Sequence, residues 1–189
     1  DVSRFGNDKT ALCKRQGSIV TEVRSWSGLD LMQTVGRVVA EYESLLPSKR
    51  PREILVDSIG LGSGVVDRLR ELELPVRGIN VAEAPSMGGT YLNLRSELWF
   101  KTKGWFEDRA CKLPKDDQLL AELTGIRYSF TSSGKMKAES KDEMRKRGLA
   151  SPDLADALCL TMASDAATAL SGAFSSWKGE IKRNLRGIA

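Results

Sequence analysis

The sequence predicts an α/β fold in which a mixed sheet is flanked by helices. Strand and helix patterns alternate along most of the chain, and this alternation is the main observation behind the prediction. The first two strand patterns can form an antiparallel hairpin, whereas the next two are separated by a helix, as parallel strands are. The 189 residues, 41% of them hydrophobic and 29% charged, suffice for one well-buried core. We therefore expect one domain over residues 1–170, followed by a basic tail over 171–189.

The chain begins with a hairpin and a long helix. Lys9–Arg15 and Ser18–Ser25 carry β-branched and apolar residues on either side of Gly17, a pattern typical of a hairpin. Apolar residues then recur at spacings of three and four over Leu29–Leu46, and Pro47 follows directly. This pattern predicts an amphipathic helix that the proline ends.

A strand–helix–strand unit comes next. The short apolar run Ile54–Asp57 is typical of a buried, parallel strand, and it precedes a predicted helix at Val65–Leu72 and a predicted strand at Val76–Val81. The remaining predicted elements are a helix at Leu92–Trp105, a short helix at Asp116–Leu123, a hairpin of Ile126–Phe130 with Lys135–Ala138, and a last helix from Ser151 and Pro152 to about Ala169. A serine cap followed by a proline in the first turn favours the start of a helix at Ser151 and Pro152.

Three aspartates lie where their carboxylates could point to one place. Asp1 precedes the hairpin, Asp57 ends a buried strand, and Asp153 opens the last helix. They come from distant parts of the chain, so they can meet only in the folded protein, where they would repel one another unless divalent cations lay between them. The set therefore predicts a magnesium or manganese site, with Asp8 and Asp156 as candidates for further ligands.

Each of these acids also has a plain structural alternative. Asp1 could be a polar chain end, Asp57 a cap for the next helix, and Asp8 an ordinary turn residue. Either Asp153 or Asp156 could be a first-turn acid that the helix dipole favours. A carboxylate placed after three apolar residues, as Asp57 is, would nevertheless be costly to bury without compensation.

Composition excludes several classes of active site. The chain has no histidine, which rules out Ser-His-Asp hydrolysis, histidine general bases and ordinary zinc hydrolase sites. The three cysteines, Cys13, Cys111 and Cys159, lie far apart and are expected to be reduced, mostly buried small hydrophobes. No apolar run is long enough for a membrane span and no signal peptide is visible, so we expect a soluble intracellular protein without a membrane partner.

The order of elements and acids is that of the ribonuclease H-like fold of integrases and resolvases. Within it, Asp57–Leu69 and Glu139–Leu158 resemble segments of the C-terminal nuclease domain of the large terminase subunit of tailed bacteriophages. The opening segment Asp1–Thr10 resembles the first acidic motif of that family. The resemblance extends from Asp1 to about Ala163.

This resemblance implies an endonuclease that cuts concatemeric double-stranded DNA during genome packaging in the cytoplasm of the infected host cell. It implies two-metal phosphodiester hydrolysis with two Mg²⁺ or Mn²⁺ ions held by Asp1, Asp57 and Asp153. The implied partners are double-stranded DNA, the N-terminal ATPase motor of the same polypeptide, the portal protein and the small terminase subunit. No Walker-type Gly-x-x-x-x-Gly-Lys-Ser/Thr occurs, so the motor is expected to lie outside this sequence. Because the sequence starts on Asp1, part of the first strand is expected to lie outside it as well.

One departure from the family pattern concerns the third acid. Two adjacent acids often stand there, whereas here Pro152 precedes Asp153. This leaves either Asp153 or Asp156 as the direct metal ligand.

A basic stretch leads into the third acid. Its six basic residues are Lys135, Lys137, Lys141, Arg145, Lys146 and Arg147. A solvated charged helix is the plain interpretation, but a basic segment joined to the third acid is well placed to bind the phosphate backbone near the metals. We assign Lys141 as the active-site lysine and the other five as DNA-binding residues.

Two rival functions remain at this stage. Actin-like ATPases and sugar kinases share the fold and place an acid, glycines and a threonine around a nucleotide phosphate, but no convincing second phosphate loop is present. A non-catalytic DNA-binding or docking module would explain the basic tail but not the costly position of Asp57. Gly60, Gly62 and Gly64 fit either a tight strand-to-helix turn or the close approach of a phosphate to backbone amides.

Overall fold

The first strands form the predicted hairpin. A computed structural model describes residues 1–3 and 9–164, in which β1 (Thr10–Gln16) pairs antiparallel with β2 (Ile19–Trp26) through a turn at Gly17. The φ angle of Gly17 is +58°, a conformation that glycine adopts without strain. The backbone of Asp1 lies beside β1, since its nitrogen donates to the Ala11 carbonyl at 3.2 Å and its carbonyl accepts from the Ala11 amide at 3.0 Å.

The first helix, α1 (Leu31–Glu43), is shorter than predicted at both ends. Asp30 caps its start in a reciprocal capping box with Gln33, so residues ahead of the cap are excluded from the helix. A short 3-10 turn at Pro47–Lys49 follows. The helix packs against α2 (Leu61–Glu71).

The strand–helix–strand unit is present as predicted. β3 (Ile54–Asp57) pairs parallel with β4 (Val76–Ile79), and α2 connects them. α2 begins earlier than predicted because Gly62 lets the helix approach the strand end: a Cβ at Gly62 would lie 1.7 Å from the carbonyl oxygen of Asp57. The glycines here therefore form a tight strand-to-helix turn.

As far as residue 164, the second half of the chain contributes four helices and a second hairpin. These elements are α3 (Leu94–Glu107), α4 (Asp117–Gly125), β5 (Tyr128–Phe130), β6 (Met136–Ala138), α5 (Lys141–Lys146), α6 (Asp153–Leu160) and a closing 3-10 turn at Thr161–Ala163. The serine cap predicted for the last helix is wrong, because Pro152 occupies the cap position and no side chain of its own caps α6. The predicted extension of the last helix to about Ala169 is also wrong, because α6 ends at Leu160 and a 3-10 turn follows it. The predicted tail at 171–189 lies outside the described residues.

The most buried element is α6. It packs between the β1–β2 hairpin, α3 and α4, and Leu154, Ala155 and Leu158 are each at most 2% exposed. A second apolar cluster joins α1, α2 and β3. Among the described residues the strands pair in three two-stranded pieces, two antiparallel and one parallel, around this central helix.

The structure bears on the predictions for the cysteines and for membrane-spanning segments. Cys13, Cys111 and Cys159 are free thiols, and Cys159 is buried. Burial raises the pKa of the Cys13 thiol to about 12. Within the described residues, no helix has the length and apolar character that crossing a membrane requires.

Candidate metal-binding site

The predicted acids meet at a cavity of about 220 Å³. Asp1, Asp57, Asp156 and Lys141 line it, and Asp153 contacts Lys141 from the first turn of α6. Residues from the chain start, the end of β3, the start of α5 and the start of α6 therefore share one site. Asp8 lies outside the described residues.

Lys141 lies at the centre of the site. Its Nζ is 2.7 Å from Asp1 Oδ2, 3.0 Å from Asp153 Oδ1 and 3.8 Å from Asp156 Oδ2. Ser140 fixes the start of α5 in a capping box with Glu143. This places Lys141, the first residue of the helix, where its side chain reaches Asp1 and Asp153. The Ser-x-x-Glu pattern of that box is visible in the sequence and signals this helix start.

Asp153 is the most deeply buried acid of the group. Its side chain is only 4% exposed, and its second oxygen accepts a hydrogen bond from the Lys9 amide at 2.7 Å. A buried carboxylate needs such partners, since an unpaired one is costly. The backbone after the chain start and the side chain of Lys141 thus jointly hold the Asp153 carboxylate.

Asp156, one turn further along α6, has different partners. Its Oδ1 accepts from Trp99 Nε1 at 2.8 Å and lies 3.0 Å from an Arg95 guanidinium nitrogen. The same guanidinium lies over the Trp99 ring and donates to the Glu139 carbonyl at 2.6 Å. In this arrangement the charge of Asp156 is therefore compensated by the Arg95 guanidinium.

Sequence reasoning missed Arg95 and Trp99. Their spacing of four places them on one face of α3, and this was the available signal for a paired role. The Trp99 side chain is buried, at 7% exposure. Its indole N–H in addition orients an acid of the site.

Asp57 ends β3 and faces the same cavity. Its Oδ1 accepts from the Ile59 amide at 3.1 Å, within its own turn. It does not cap α2, whose cap residue is Gly60. Burial raises the pKa of the Asp57 carboxyl, while the Ile59 amide and the charge of Lys141 oppose that rise.

The donor set fits a hard divalent cation. Four carboxylates, from Asp1, Asp57, Asp153 and Asp156, lie at or beside the cavity, and among the described side chains Lys141 and Arg95 form ion pairs with them. Oxygen donors of this kind are what Mg²⁺ and Mn²⁺ prefer. As arranged, no group of three or more Asp, Glu, Cys or His side chains in the described part of the chain could hold a metal ion. The Lys141 ammonium lies between Asp1 and Asp153, so it occupies the position that a cation would need.

The predicted DNA-binding residues divide into two groups. Three are in ion pairs: Lys137 with Glu143 at 2.7 Å, Arg145 with Asp142 at 2.7 Å, and Arg147 with Glu139 at 2.6 Å. Lys135 and Lys146 form no ion pair with a described residue, and Lys146 is exposed. Lys137 also lines the site cavity.

The start of α6 is held by an acid from another helix. Glu122 of α4 accepts a hydrogen bond from the Ala155 amide at 2.9 Å and another from the Leu154 amide. These are amides of the first turn, which Pro152 does not cap. Burial raises the pKa of the Glu122 carboxyl, and the nearby Asp153 adds to the rise.

We expect Glu122→Ala to lower the free energy of unfolding by about 1 kcal/mol, because two first-turn amides lose their acceptor. Glu122→Gln keeps an acceptor oxygen and removes a charge that is costly at this place, so its stability should equal or exceed that of the wild type. Urea unfolding at neutral pH measures both variants. If Glu122→Ala and Glu122→Gln lowered the free energy of unfolding equally, the Glu122 carboxylate would not be acting as a cap of α6.

Solved structures with a similar fold are nuclease domains of large terminase subunits. That of gp2 from bacterial virus Sf6 is 22% identical with a TM-score of 0.72, covering 86% of this chain and 85% of that one. A single-residue variant of the Sf6 domain with manganese and beta-thujaplicinol is 21% identical, with a TM-score of 0.70 and the same coverage. The large terminase nuclease of thermophilic phage G20c with bound magnesium is 16% identical with a TM-score of 0.57, covering 84% and 83%.

Other comparisons give no match. No protein-family model matches the chain, and no curated protein sequence does. At the identities found, the solved structures establish the fold. They confirm the resemblance that the motifs indicated and, with it, the ribonuclease H-like fold.

Proposed function

We propose that the chain is the metal-dependent endonuclease domain of a viral genome-packaging terminase and cuts concatemeric double-stranded DNA by two-metal phosphodiester hydrolysis. The observation that carries the proposal is the convergence of Asp1, Asp57, Asp153 and Asp156 around Lys141 at one cavity. Domains of the same fold from phages Sf6 and G20c were crystallised with manganese, calcium, magnesium or cobalt, which supports a divalent site on this fold.

The chain's own residues have distinct parts in this proposal. Asp1, Asp57 and Asp153 would hold the cations, which when bound supply an activated water and stabilise the departing 3′ oxygen. Asp153 is favoured over Asp156 as a direct ligand, because Arg95 and Trp99 already bind Asp156. Asp156 would then act by keeping Arg95 and the cavity wall in place.

Lys141 is proposed to have two roles. Without metal it holds Asp1 and Asp153 together although both carry negative charge. If Asp1 and Asp153 held the cations, the Lys141 ammonium would no longer be needed to compensate both of them and would be available to a phosphate of the substrate. A lysine suits this exchange, since its charge is a compact group on a flexible stem.

The same proposal assigns the partners and the cell compartment. DNA is the substrate, and an ATPase motor of the same polypeptide, a portal protein and a small terminase subunit are the partners. The place of action is the cytoplasm of the infected host cell. A non-catalytic module, by contrast, gives no reason for gathering four carboxylates at one cavity, an arrangement that costs stability by mutual repulsion.

The purified domain is expected to nick and linearise supercoiled plasmid DNA in magnesium or manganese, with little sequence preference, and to be inactive in EDTA. The reason is that the site offers oxygen ligands and no histidine base. Agarose gels measure the cleavage, and thermal melting with and without the cation measures binding independently. Full cleavage in the chelator would refute the metal mechanism.

DNA affinity should depend on the unpaired lysines of the basic stretch. Replacing Lys135 and Lys146 together by Ala should weaken duplex binding and flatten its salt dependence by roughly one unit of slope per lost phosphate contact. Stability should change by less than about 0.5 kcal/mol, because neither lysine forms an ion pair with a described residue.

The matched control is Lys49→Ala with Lys115→Ala, which removes the same charge from two exposed positions elsewhere on the surface. Binding isotherms at several salt concentrations compare the two double variants. Equal slopes for both would show that Lys135 and Lys146 contribute only general charge. Arg145 and Arg147 are less suitable for this test, because their ion pairs with Asp142 and Glu139 also affect stability.

A further inference from the structure

A row of four aromatic rings lies on the surface beside the second hairpin. Tyr91, Phe100, Tyr128 and Phe130 follow one another with ring-centroid distances of 5.4, 5.4 and 5.9 Å. Tyr128 is 59% exposed and Phe130 is 64% exposed. Single exposed apolar residues are common, but two adjacent large rings in a continuous row indicate a binding surface.

This aromatic row is one strand away from the candidate metal site. In the hairpin Tyr128 lies opposite Ala138 and Phe130 opposite Met136. The partner strand β6 contributes Lys137 and Ala138 to the lining of the site cavity. The hairpin therefore carries the aromatic row on one strand and part of the wall of the acidic cavity on the other.

A second cavity of about 360 Å³ adjoins the row. Its lining includes Tyr128 together with Arg127, Lys146, Arg147, Glu139 and Glu143. Both acids are already paired, Glu139 with Arg147 and Glu143 with Lys137. Arg127 and Lys146 have no acidic partner within 4 Å among the described residues, so the cavity carries surplus positive charge.

We propose that the aromatic row and this second cavity bind an unpaired segment of a DNA strand next to the point of cleavage. Bases stack on Tyr128 and Phe130, and the backbone phosphates face Arg127 and Lys146. Open aromatic rings beside unpaired cations are the surface chemistry that binds single-stranded nucleic acid. Bases within an intact duplex are already stacked, so this surface selects a strand that is locally open. The inference rests on the proposed function.

The test measures binding of a fluorescein-labelled mixed-sequence 12-mer, as a single strand and as a duplex, by anisotropy in EDTA, where no cleavage occurs. The double variant Tyr128→Ala with Phe130→Ala should bind the single strand at least about 25-fold more weakly, because each of the two lost base stacks contributes about fivefold or more. Duplex affinity should change by less than about twofold. Melting curves report whether each variant is folded.

A second pair, Tyr128→Leu with Phe130→Leu, keeps apolar surface but removes the rings. If bases stack there, it should lose single-strand affinity as the alanine pair does, and it serves alone if the alanine pair does not fold. The matched control is Leu120→Ala with Leu72→Ala, which trims two leucines, 60% and 41% exposed, one on α4 and one directly after α2. The control should bind like the wild type.

The outcomes separate this inference from the proposed function. Plasmid cleavage by the wild type, with unchanged single-strand affinity in both ring variants, overturns the stacking site and leaves the nuclease intact. Retained binding in the leucine pair alone shows that apolar surface rather than rings is needed, which also overturns it. Dimerisation that the alanine pair abolishes, with DNA binding unchanged, assigns the row to a second copy instead. A wild type that neither cleaves nor binds DNA overturns both.

Discussion

Asp57→Asn is expected to abolish DNA cleavage while the fold remains intact. Asp57 faces the cavity from the end of β3, and its carboxylate would be a direct ligand, whereas an amide is a weaker and uncharged donor. Without metal the variant should be as stable as the wild type or more stable, because it removes one of several crowded charges. Plasmid cleavage in manganese and thermal melting in EDTA measure the two effects.

The stability gain should depend on pH in a defined direction. Burial raises the pKa of Asp57 in the folded state, so the folded protein binds this proton more readily than the unfolded chain does. The cost of the Asp57 charge is therefore absent at acidic pH and appears as the pH rises from the ordinary aspartate pKa of about 3.9 through the raised value. The variant should match the wild type at low pH and exceed it at neutral pH.

Asp67→Asn is the matched control for this experiment. Asp67 lies on α2 of the same unit, but its side chain is 72% exposed and pairs with the exposed Arg70. It should cleave and melt like the wild type, since an exposed pair contributes little. Cleavage by Asp57→Asn at a rate near that of the control would remove Asp57 from the site.

The order of the elements other than α5 was predictable because it depends on local patterns. The alternation around Gly17, the periodicity of α1 and the apolar run of β3 each lie within a short segment, and each element is present. The start of α2 was not predictable in the same way. Gly60 and Gly62 are poor helix formers, and only the close approach to the Asp57 carbonyl shows why the helix begins beside them.

Some residues of the site could be predicted because they, too, stand out within a short segment of the sequence. Asp57 stands out because a carboxylate directly follows apolar residues, a conflict that is visible in one segment. Arg95 and Trp99 reach Asp156 across about sixty positions, so their spacing indicates a shared face of α3 but not the acid that they contact there. Glu122 caps α6 from another helix and was missed for the same reason.

The metal-free state of the site depends on Lys141. Among the described side chains it is the cation that contacts both Asp1 and Asp153, and it is 28% exposed. Taking away one partner of a largely buried pair costs more than the pair itself contributes, because the remaining charges stay in place. We therefore expect a substitution of Lys141 to change stability more than Asp57→Asn does.

Lys141→Met should lower stability in EDTA by about 2 kcal/mol or more, since Asp1 and Asp153 then repel each other without compensation. For a chain of this size that corresponds to a melting temperature roughly 5 °C lower. Adding manganese should raise the melting temperature of the variant more than that of the wild type, because the cation no longer competes with the ammonium. Calorimetry with and without manganese measures both shifts.

Cleavage separates a structural lysine from a catalytic one. At saturating manganese Lys141→Met should regain the stability that it loses in EDTA. Its cleavage should nevertheless remain about 100-fold slower than that of the wild type, because the ammonium that can approach the phosphate is gone. Lys103→Met is the control, since Lys103 pairs with Glu107 on an exposed face of α3 and should leave both readings unchanged. If manganese stabilised Lys141→Met no more than it stabilises the wild type, the ammonium could not be occupying a cation's position. If the restored variant cleaved at the wild-type rate, Lys141 would serve only to hold the acids together.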